Sequence, residues 1–256
     1  MGTNILIAGC GTVGSNIKAV LKKFQPDCVD KFKPDVTNYN PGKKYDIAYI
    51  CVDTPMNEKG VCDRGEVLNA ILDNNAEIFV IKSTVLPGTT DEIKAKTGKR
   101  VVFSSEFYGG TQHCNNFDFD FTILGGDRKD CVEVQQMLQN VFDARHKFKI
   151  TDAKTAELAK YAENCYLATK VTFCNEFFRI AEKSGVCYEE LRELVTLDPR
   201  IDPSHTFVYR DHPFWRSHCL DKDVRAIAEW SGSEFLKSVI DANEKHKKDG
   251  YGKDAK

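Results

Sequence analysis

Short apolar runs alternate with stretches of helical spacing through the first 150 residues. "NILIAG", "YDIAYICV", "EIFVIKS" and "RVVFSSE" are strand-like runs rich in Ile, Val and Phe. Between them, "TVGSNIKAVLKKF", "DRGEVLNAILDNN" and "GTTDEIKAKTG" carry apolar residues at helical intervals. Strand, helix, strand, helix implies parallel strands joined by right-handed crossovers, and so an α/β, doubly wound parallel sheet. "FTILGG", "DRKDCVEVQQMLQNVF" and "HKFKI" add a further unit that closes it near Ile150. The pattern then changes. "TDAKTAELAKYAENCYLATKVTFCNEFFRIAEKSG" reads as one long helix, with Thr151 or Asp152 as N-cap and Gly185 as its stop. Shorter helices are predicted at "YEELRELVT", "DKDVRAIAEW" and "SEFLKSVIDANEKHKK", around an irregular stretch from Asp198 to His218. The expected division is a sheet domain over 1–150, an all-helical central domain over 151–248 and a solvated, flexible tail over 249–256.

The first strand–helix junction carries "GCGTVG", a G-x-G-x-x-G pattern in the context that gives it meaning. Gly9 permits the tight turn, Gly11 lets backbone approach a pyrophosphate, and Gly14 lets helix and strand pack closely. Thr12 and Val13 open the helix, whose free N–H groups and positive dipole end suit an anion. The sheet is therefore expected to be Rossmann-like and to hold a dinucleotide. The next strand, in "DCVDKF", ends at Asp30, where a carboxylate accepts both ribose hydroxyls and repels a 2′-phosphate. That favours NAD over NADP, although Lys31 and Lys33 lie near enough to blur the preference. Thr54 of "VDTP" and Thr84 of "KSTVLPGTT" follow the ends of later strands, where ligands bind in such sheets; each also suits a plain turn.

Charge changes the picture only by exclusion. A net charge of -2 over 256 residues leaves no basic surplus for nucleic acid or a membrane surface, and no stretch has the length and apolarity of a membrane span. "MGTNILIAG" lacks the basic flank and long apolar run of a signal peptide. The expected compartment is the cytosol. There, the 10 cysteines, none in a C-x-x-C pair, are expected to be free thiols that pack mostly as small apolar residues. Cys219 of "HCLDKD" stands apart, between a histidine and a charged run that opens a helix, with Asp221 as the predicted N-cap. The residues alone leave it as buried filler, metal ligand or nucleophile. "HTFVYRDHPFWRSHC" bunches His205, His212, His218 and Cys219, but the spacing matches no familiar zinc pattern, and no metal is expected. Lys160 and Asn164 sit one turn apart on the long helix. A cation and an amide aimed at one point can hold an oxyanion, yet spacing alone favours a solvated lysine and a surface asparagine.

Taken in order after "GCGTVG", the segments "STVLPGTT", "SSEF", "AELAKYAENCYLATKVTFCNEF" and "LDPRI…HCLDKD" resemble the UDP-glucose/GDP-mannose 6-dehydrogenase family, from residue 4 to about residue 247. The resemblance implies NAD as cofactor and oxidation of a sugar nucleotide's C6 alcohol to a carboxylate by two hydride transfers, with UDP-glucose the first expectation. It implies Cys219 as the nucleophile that captures the aldehyde as a thiohemiacetal, which becomes a thioester and is hydrolysed. Lys160 and Asn164 would stabilise the oxyanion, Asp223 would support proton transfer, Glu106 would act in hydrolysis, Thr84 would order a water and Lys222 would approach the cofactor. A cation near Cys219, which lies just before a predicted helix start, would favour its thiolate.

The chain also departs from the family's pattern. A third domain that grips the nucleotide is expected to be missing, making this a short form. "YRDHPFWRSHC" stands where the family has a Gly-rich loop, so Trp215, Arg216 and His218 are expected to fill or reshape that space. Gly110 stands where the family has a second acidic residue. Arg200, Arg210 and Arg216 offer a replacement phosphate clamp, with Arg200 the substrate-binding candidate and Arg210 equally suited to plain surface charge. The apolar length of "CYLATKVTFCNEFFRIA" implies a homodimer through the long helix. Two rival readings stand beside this one: a single-step 3-hydroxyacid dehydrogenase, which needs no cysteine, and a non-catalytic NAD-binding subunit.

Overall fold

The computed structural model describes residues 3–56, 62–107, 109, 113–114 and 119–249. The chain divides into two compact units, Met1–Phe107 with Phe119–Lys160, and Tyr108–Asp118 with Tyr161–Lys256.

The first unit is a seven-stranded sheet in which β1 (Ile5–Ala8), β2 (Asp27–Val29), β3 (Tyr45–Ile50), β4 (Ala76–Ile81), β5 (Arg100–Phe103), β6 (Phe121–Gly125) and β7 (Lys147–Thr151) lie in the order β2-β1-β3-β4-β5-β6-β7. The crossovers are α1 (Thr12–Val20), α2 (Gly65–Leu72), α3 (Thr89–Thr97) and α4 (Arg128–Leu138). Strands β3, β4 and β5 end in runs of buried residues, as a sheet covered on both faces requires. Two apolar clusters form its core: one centres on Ile7, Tyr49, Val80 and Val134, the other on Leu6, Ile50, Phe79 and Phe103. The sheet is mostly parallel, as expected, with one reversal. β6 runs antiparallel to β5, and β7 runs parallel to β6. Among the described residues between β5 and β6 no helix supplies the right-handed crossover that would force parallel pairing.

α5 (Ala153–Lys183) follows β7, and Asp152 caps it by accepting the Thr155 N–H at 2.8 Å. Gly185, at φ +70°, ends the turn after it. Its first residues pack against the sheet at Gly125, where a Cβ would lie 2.5 Å from that of Ala156.

The second unit holds the rest of α5 with α6 (Tyr188–Val195), α7 (His218–Ser231) and α8 (Glu234–Asp249). The tail predicted beyond Asp249 lies outside the described residues. The irregular stretch before α7 is pinned at several points. Tyr188 donates to the Thr206 carbonyl, Arg192 Nε donates to Thr206 Oγ1, and the Arg192 guanidinium lies 3.6 Å from the Phe207 ring centroid. Trp215 is a buried anchor: its indole N–H donates to Thr172 Oγ1 at 2.9 Å, and its backbone exchanges two hydrogen bonds with the Asn243 amide. Its indole is thus buried against α5, while its backbone is tied to α8.

His246 on α8 is 1% exposed, and neither ring nitrogen has a hydrogen-bond partner. Glu176 approaches Nε2 only to 3.7 Å. Burial, helped by Arg179, holds this imidazole below its ordinary range against the pull of Glu176 and Asp249. A histidine depressed in the folded state adds stability above its unfolded value, about 6.5, and that stability drains away as pH falls through the folded value. The denaturation midpoint is therefore expected to drop between pH 7 and pH 5, and His246→Leu to flatten that dependence. Chemical denaturation at stepped pH reads both. No described helix is long and apolar enough to cross a membrane.

Candidate functional site

The phosphate loop has the geometry its glycines predict. Gly9 has φ +94°, and a Cβ there would lie 2.5 Å from the Cys51 carbonyl oxygen. A Cβ on Gly14 would lie 1.9 Å from the Gly9 carbonyl oxygen, so the turn closes only without one. Gly11, the N-cap of α1, has nothing within 4 Å of its notional Cβ, which leaves room for a dinucleotide's phosphates over the N–H groups of Thr12 and Val13. Alanine at Gly11 is expected to leave stability unchanged but to weaken NAD binding about tenfold or more; alanine at Gly14 is expected to disrupt the fold itself. Calorimetric NAD titration and thermal unfolding separate the two outcomes.

Asp30, just past β2, is tied to this loop. Its Oδ2 accepts the Cys10 N–H at 2.7 Å and its Oδ1 accepts the Phe32 N–H, while Lys33 Nζ donates to the Cys10 carbonyl at 2.9 Å. Burial opposes its charged form, but the Cys10 and Phe32 donors and Lys33 outweigh it and hold the carboxyl below the usual carboxylate range. A charged acceptor at this position is what an NAD ribose requires. Lys31 pairs with Glu66. The residues present therefore fit a dinucleotide: open backbone at Gly11, two glycines that cannot be replaced without clash, and an ionised acid at the end of the second strand.

The later strand ends of the first unit hold a second group of polar residues. Thr54 donates to the Thr84 carbonyl at 2.9 Å, joining the loops after β3 and β4. Glu106, after β5, faces a partner the sequence reading did not single out: Lys82, at the end of β4 and 8% exposed, with its Nζ 3.1 Å from Glu106 Oε2. A second unanticipated residue is Glu157 on α5, which is fully buried. Its carboxylate accepts the Gly88 N–H at 2.5 Å, the Thr90 N–H at 2.8 Å and the Thr90 hydroxyl at 2.6 Å, and so caps the start of α3. Burial pushes its carboxyl above the usual range against those three donors. One turn further along α5, the Lys160 ammonium lies 4.8 Å from the centroid of the Phe107 ring.

In the second unit, Asn164 Nδ2 donates to Asp223 Oδ2 at 2.7 Å and Lys222 Nζ donates to Asp223 Oδ1 at 2.6 Å. Lys160 and Asn164 are 8% and 4% exposed, which corrects the reading of solvated surface groups that spacing alone favours. Asp223 is 1% exposed, a buried charge held by an amide and an ammonium. Cys219 lies one helical turn before Asp223 and is exposed, so it is not buried filler. The predicted cap of α7 also needs correction. Ser217, not Asp221, is the N-cap, accepting the Leu220 N–H at 3.1 Å, and the helix starts early enough to place Cys219 in its first turn. A serine hydroxyl four positions upstream of Asp221 wins the capping site and leaves the acid in the first turn.

The other candidates fall elsewhere. Arg200 is exposed and forks onto its neighbour Asp198 through Nε and Nη2. Arg210 reaches Glu182 and Glu189 and lies over Phe178. Arg216 is exposed. Gly110 and the side chain of His218 lie outside the described residues. His212 stacks on Tyr209, His205 is half buried, and among the described residues no three His, Cys, Asp or Glu side chains are grouped to hold a metal. Of the cysteines, Cys187 is exposed and Cys114 half-buried, so the expected apolar packing does not hold for these two.

A mostly parallel sheet with a glycine phosphate loop and an acid at the end of its second strand, followed by a helical unit, defines a class: the proteins with a Rossmann-like dinucleotide-binding domain. Residues 16–144 match the model of the UDP-glucose/GDP-mannose dehydrogenase family, NAD binding domain, and residues 154–245 match that family's central domain. The chain belongs to this family, and its cofactor is NAD. It is 32% identical over 248 residues to the UDP-glucose 6-dehydrogenase of Rickettsia prowazekii, covering 88% of this chain and 56% of that protein. It is 33% identical over 210 residues to the GDP-mannose 6-dehydrogenase of Pseudomonas syringae pv. tomato, covering 73% and 47%. The chain thus spans about half the length of these relatives. Its fold matches that of a UDP-glucose dehydrogenase from Pyrobaculum islandicum with a TM-score of 0.77 at 24% identity, covering 96% of this chain and 68% of that one.

Proposed function

We propose that the chain oxidises the C6 alcohol of a nucleotide sugar, UDP-glucose first, to the carboxylate with two molecules of NAD. The observation that carries this reading is the second unit's cluster: an exposed Cys219 in the first turn of α7, one turn from an Asp223 that is gripped by Asn164 and Lys222. NAD, when bound at the Gly9–Gly14 loop and Asp30, accepts the hydrides. In this reading Cys219 adds to the aldehyde, its thiolate favoured by the N–H groups and dipole at the start of α7. Lys160 and Asn164 hold the oxyanion. The Asn164–Asp223 bond fixes the amide so that its other groups face the adduct, and Asp223 exchanges the proton. Lys222 neutralises Asp223 and faces the cofactor, Thr84 orders the water, and Glu106 activates it.

In the same reading residues 1–150 hold the cofactor and 151–248 carry the chemistry. Tyr166, Phe173, Phe177 and Ile180, all exposed on α5, supply the apolar face of a homodimer in the cytosol. Arg200, exposed and resting on Asp198, is the candidate for the substrate's phosphates. Purified protein is to be mixed with NAD and, in turn, UDP-glucose, GDP-mannose and UDP-N-acetylmannosamine, with NADH followed by absorbance. Two NADH per sugar nucleotide consumed are expected. One NADH per substrate on a 3-hydroxy acid, or NAD binding without any turnover, would replace this reading with one of its rivals.

A further inference from the structure

Lys82 is the least expected charge in the first unit. It directly follows β4, its backbone N–H donates to the Ile50 carbonyl at 2.8 Å, and its side chain is 8% exposed. A lysine buried that deeply needs a counter-charge. Glu106 supplies it, with Oε2 3.1 Å from Nζ, and the Ser105 carbonyl sits at 3.4 Å. Oε2 is itself buried and makes no angularly proper hydrogen bond, so the ammonium is what balances it. The Glu106 side chain as a whole keeps 28% exposure. One carboxylate oxygen is thus committed to the interior, and the other remains to take a proton.

We infer that Lys82 is a positioning residue for hydrolysis: it fixes the Glu106 carboxylate in one rotamer, with Oε1 presented to the water that attacks the thioester. This rests on the proposed two-step oxidation. In the step concerned, the water oxygen bonds to the acyl carbon, its proton passes to Glu106, and the carbon–sulfur bond breaks with its electron pair going to the Cys219 sulfur. Acid and thiol are the products, and nothing is oxidised or reduced. Removal of the ammonium leaves a half-buried carboxylate without its partner, free to rotate or to take up a proton from solvent, and either slows this step alone. The hydride transfers precede it and need neither residue.

The test is stopped-flow NADH formation by the full chain, with whichever of UDP-glucose, GDP-mannose and UDP-N-acetylmannosamine supports turnover, together with intact-mass detection of acyl-enzyme. Lys82→Met is expected to keep the NADH burst, lower the steady rate at least tenfold and accumulate an adduct on Cys219. Lys82→Arg is expected to restore most of the steady rate. The double variant Lys82→Met/Glu106→Gln is expected to be no slower than Glu106→Gln alone, which a merely structural role for Lys82 would not produce. Wild-type turnover with an unchanged steady rate in Lys82→Met, or additive losses in the double variant, overturns the inference and leaves the function standing. Wild-type protein that yields no NADH from any of the three overturns the function and this inference with it.

Discussion

Replacing Glu157 by alanine is expected to destabilise the first unit by roughly 3 kcal/mol, more than any other single change to a polar side chain discussed above. The carboxylate is fully buried and takes three donors, two of them backbone N–H groups at the start of α3. Helix starts leave such groups without intrahelical partners, and Gly88, the residue that enters α3, has no side chain to cap them. Alanine strands both N–H groups in the interior at about 1–3 kcal/mol each and opens a small void. Glutamine keeps the shape and one acceptor oxygen but turns an amide N–H toward the Gly88 N–H, so Glu157→Gln is expected to recover only part of the loss. Urea denaturation reads both variants. An alanine variant within about 0.5 kcal/mol of wild type would show that solvent or a rearranged turn replaces the cap. Because the same cap holds the segment that follows Thr84, NAD-dependent turnover is expected to fall along with stability in Glu157→Ala.

That residue also marks where the sequence stops being legible. The alternation of apolar runs and helical spacing locates β1, β3 to β7 and α1 to α5 because each is a local signal: a buried strand needs a continuous apolar run, and a covering helix needs an apolar stripe; the short β2 is placed only as the strand that follows the glycine loop. The glycine loop is legible as a motif: Gly14 is dictated by the Gly9 carbonyl within it, although what crowds Gly9 is the distant Cys51 carbonyl just past β3. Asp30 was legible for the same reason, standing at the end of the strand beside β1. The partners of buried charges are not local. Lys82 meets Glu106 across 24 positions, and Glu157 meets Gly88 across 69. The lysine of "IKST" and the glutamate of "AELAK" look like ordinary surface charges until the fold brings a carboxylate to one and a helix start to the other. Strand direction at β6 is hard to read for a related reason: nothing in the period of "FTILGG" itself distinguishes a parallel from an antiparallel neighbour, and the structure pairs it antiparallel to β5. The cap of α7 is ambiguous for a different reason. Ser217 and Asp221 are both good N-caps, and only the helix's real start at His218 decides between them.

Changing Cys219 to serine is expected to abolish the second hydride transfer, with the overall rate of carboxylate formation falling roughly a thousandfold or more. The two side chains have nearly the same shape, so stability is expected to stay within about 0.5 kcal/mol at an exposed position. What changes is nucleophilicity. Sulfur is the stronger nucleophile toward a carbonyl carbon, and a serine hydroxyl in the same first turn of α7 does not replace it. In the proposed scheme the first hydride leaves the alcohol before any bond to sulfur exists, so a variant that still forms one NADH per site and stalls at the aldehyde isolates the role of sulfur in the second step. Asp223→Asn is the complementary change. It keeps a hydrogen-bonding group opposite Asn164 but removes the charge that Lys222 balances, and it is expected to slow both hydride transfers, since both release a proton. Progress curves with limiting sugar nucleotide distinguish these patterns by their endpoints as well as their rates. Full two-NADH turnover by the Cys219→Ser variant would mean that oxidation proceeds through the hydrated aldehyde, with α7 serving the chain only as scaffold.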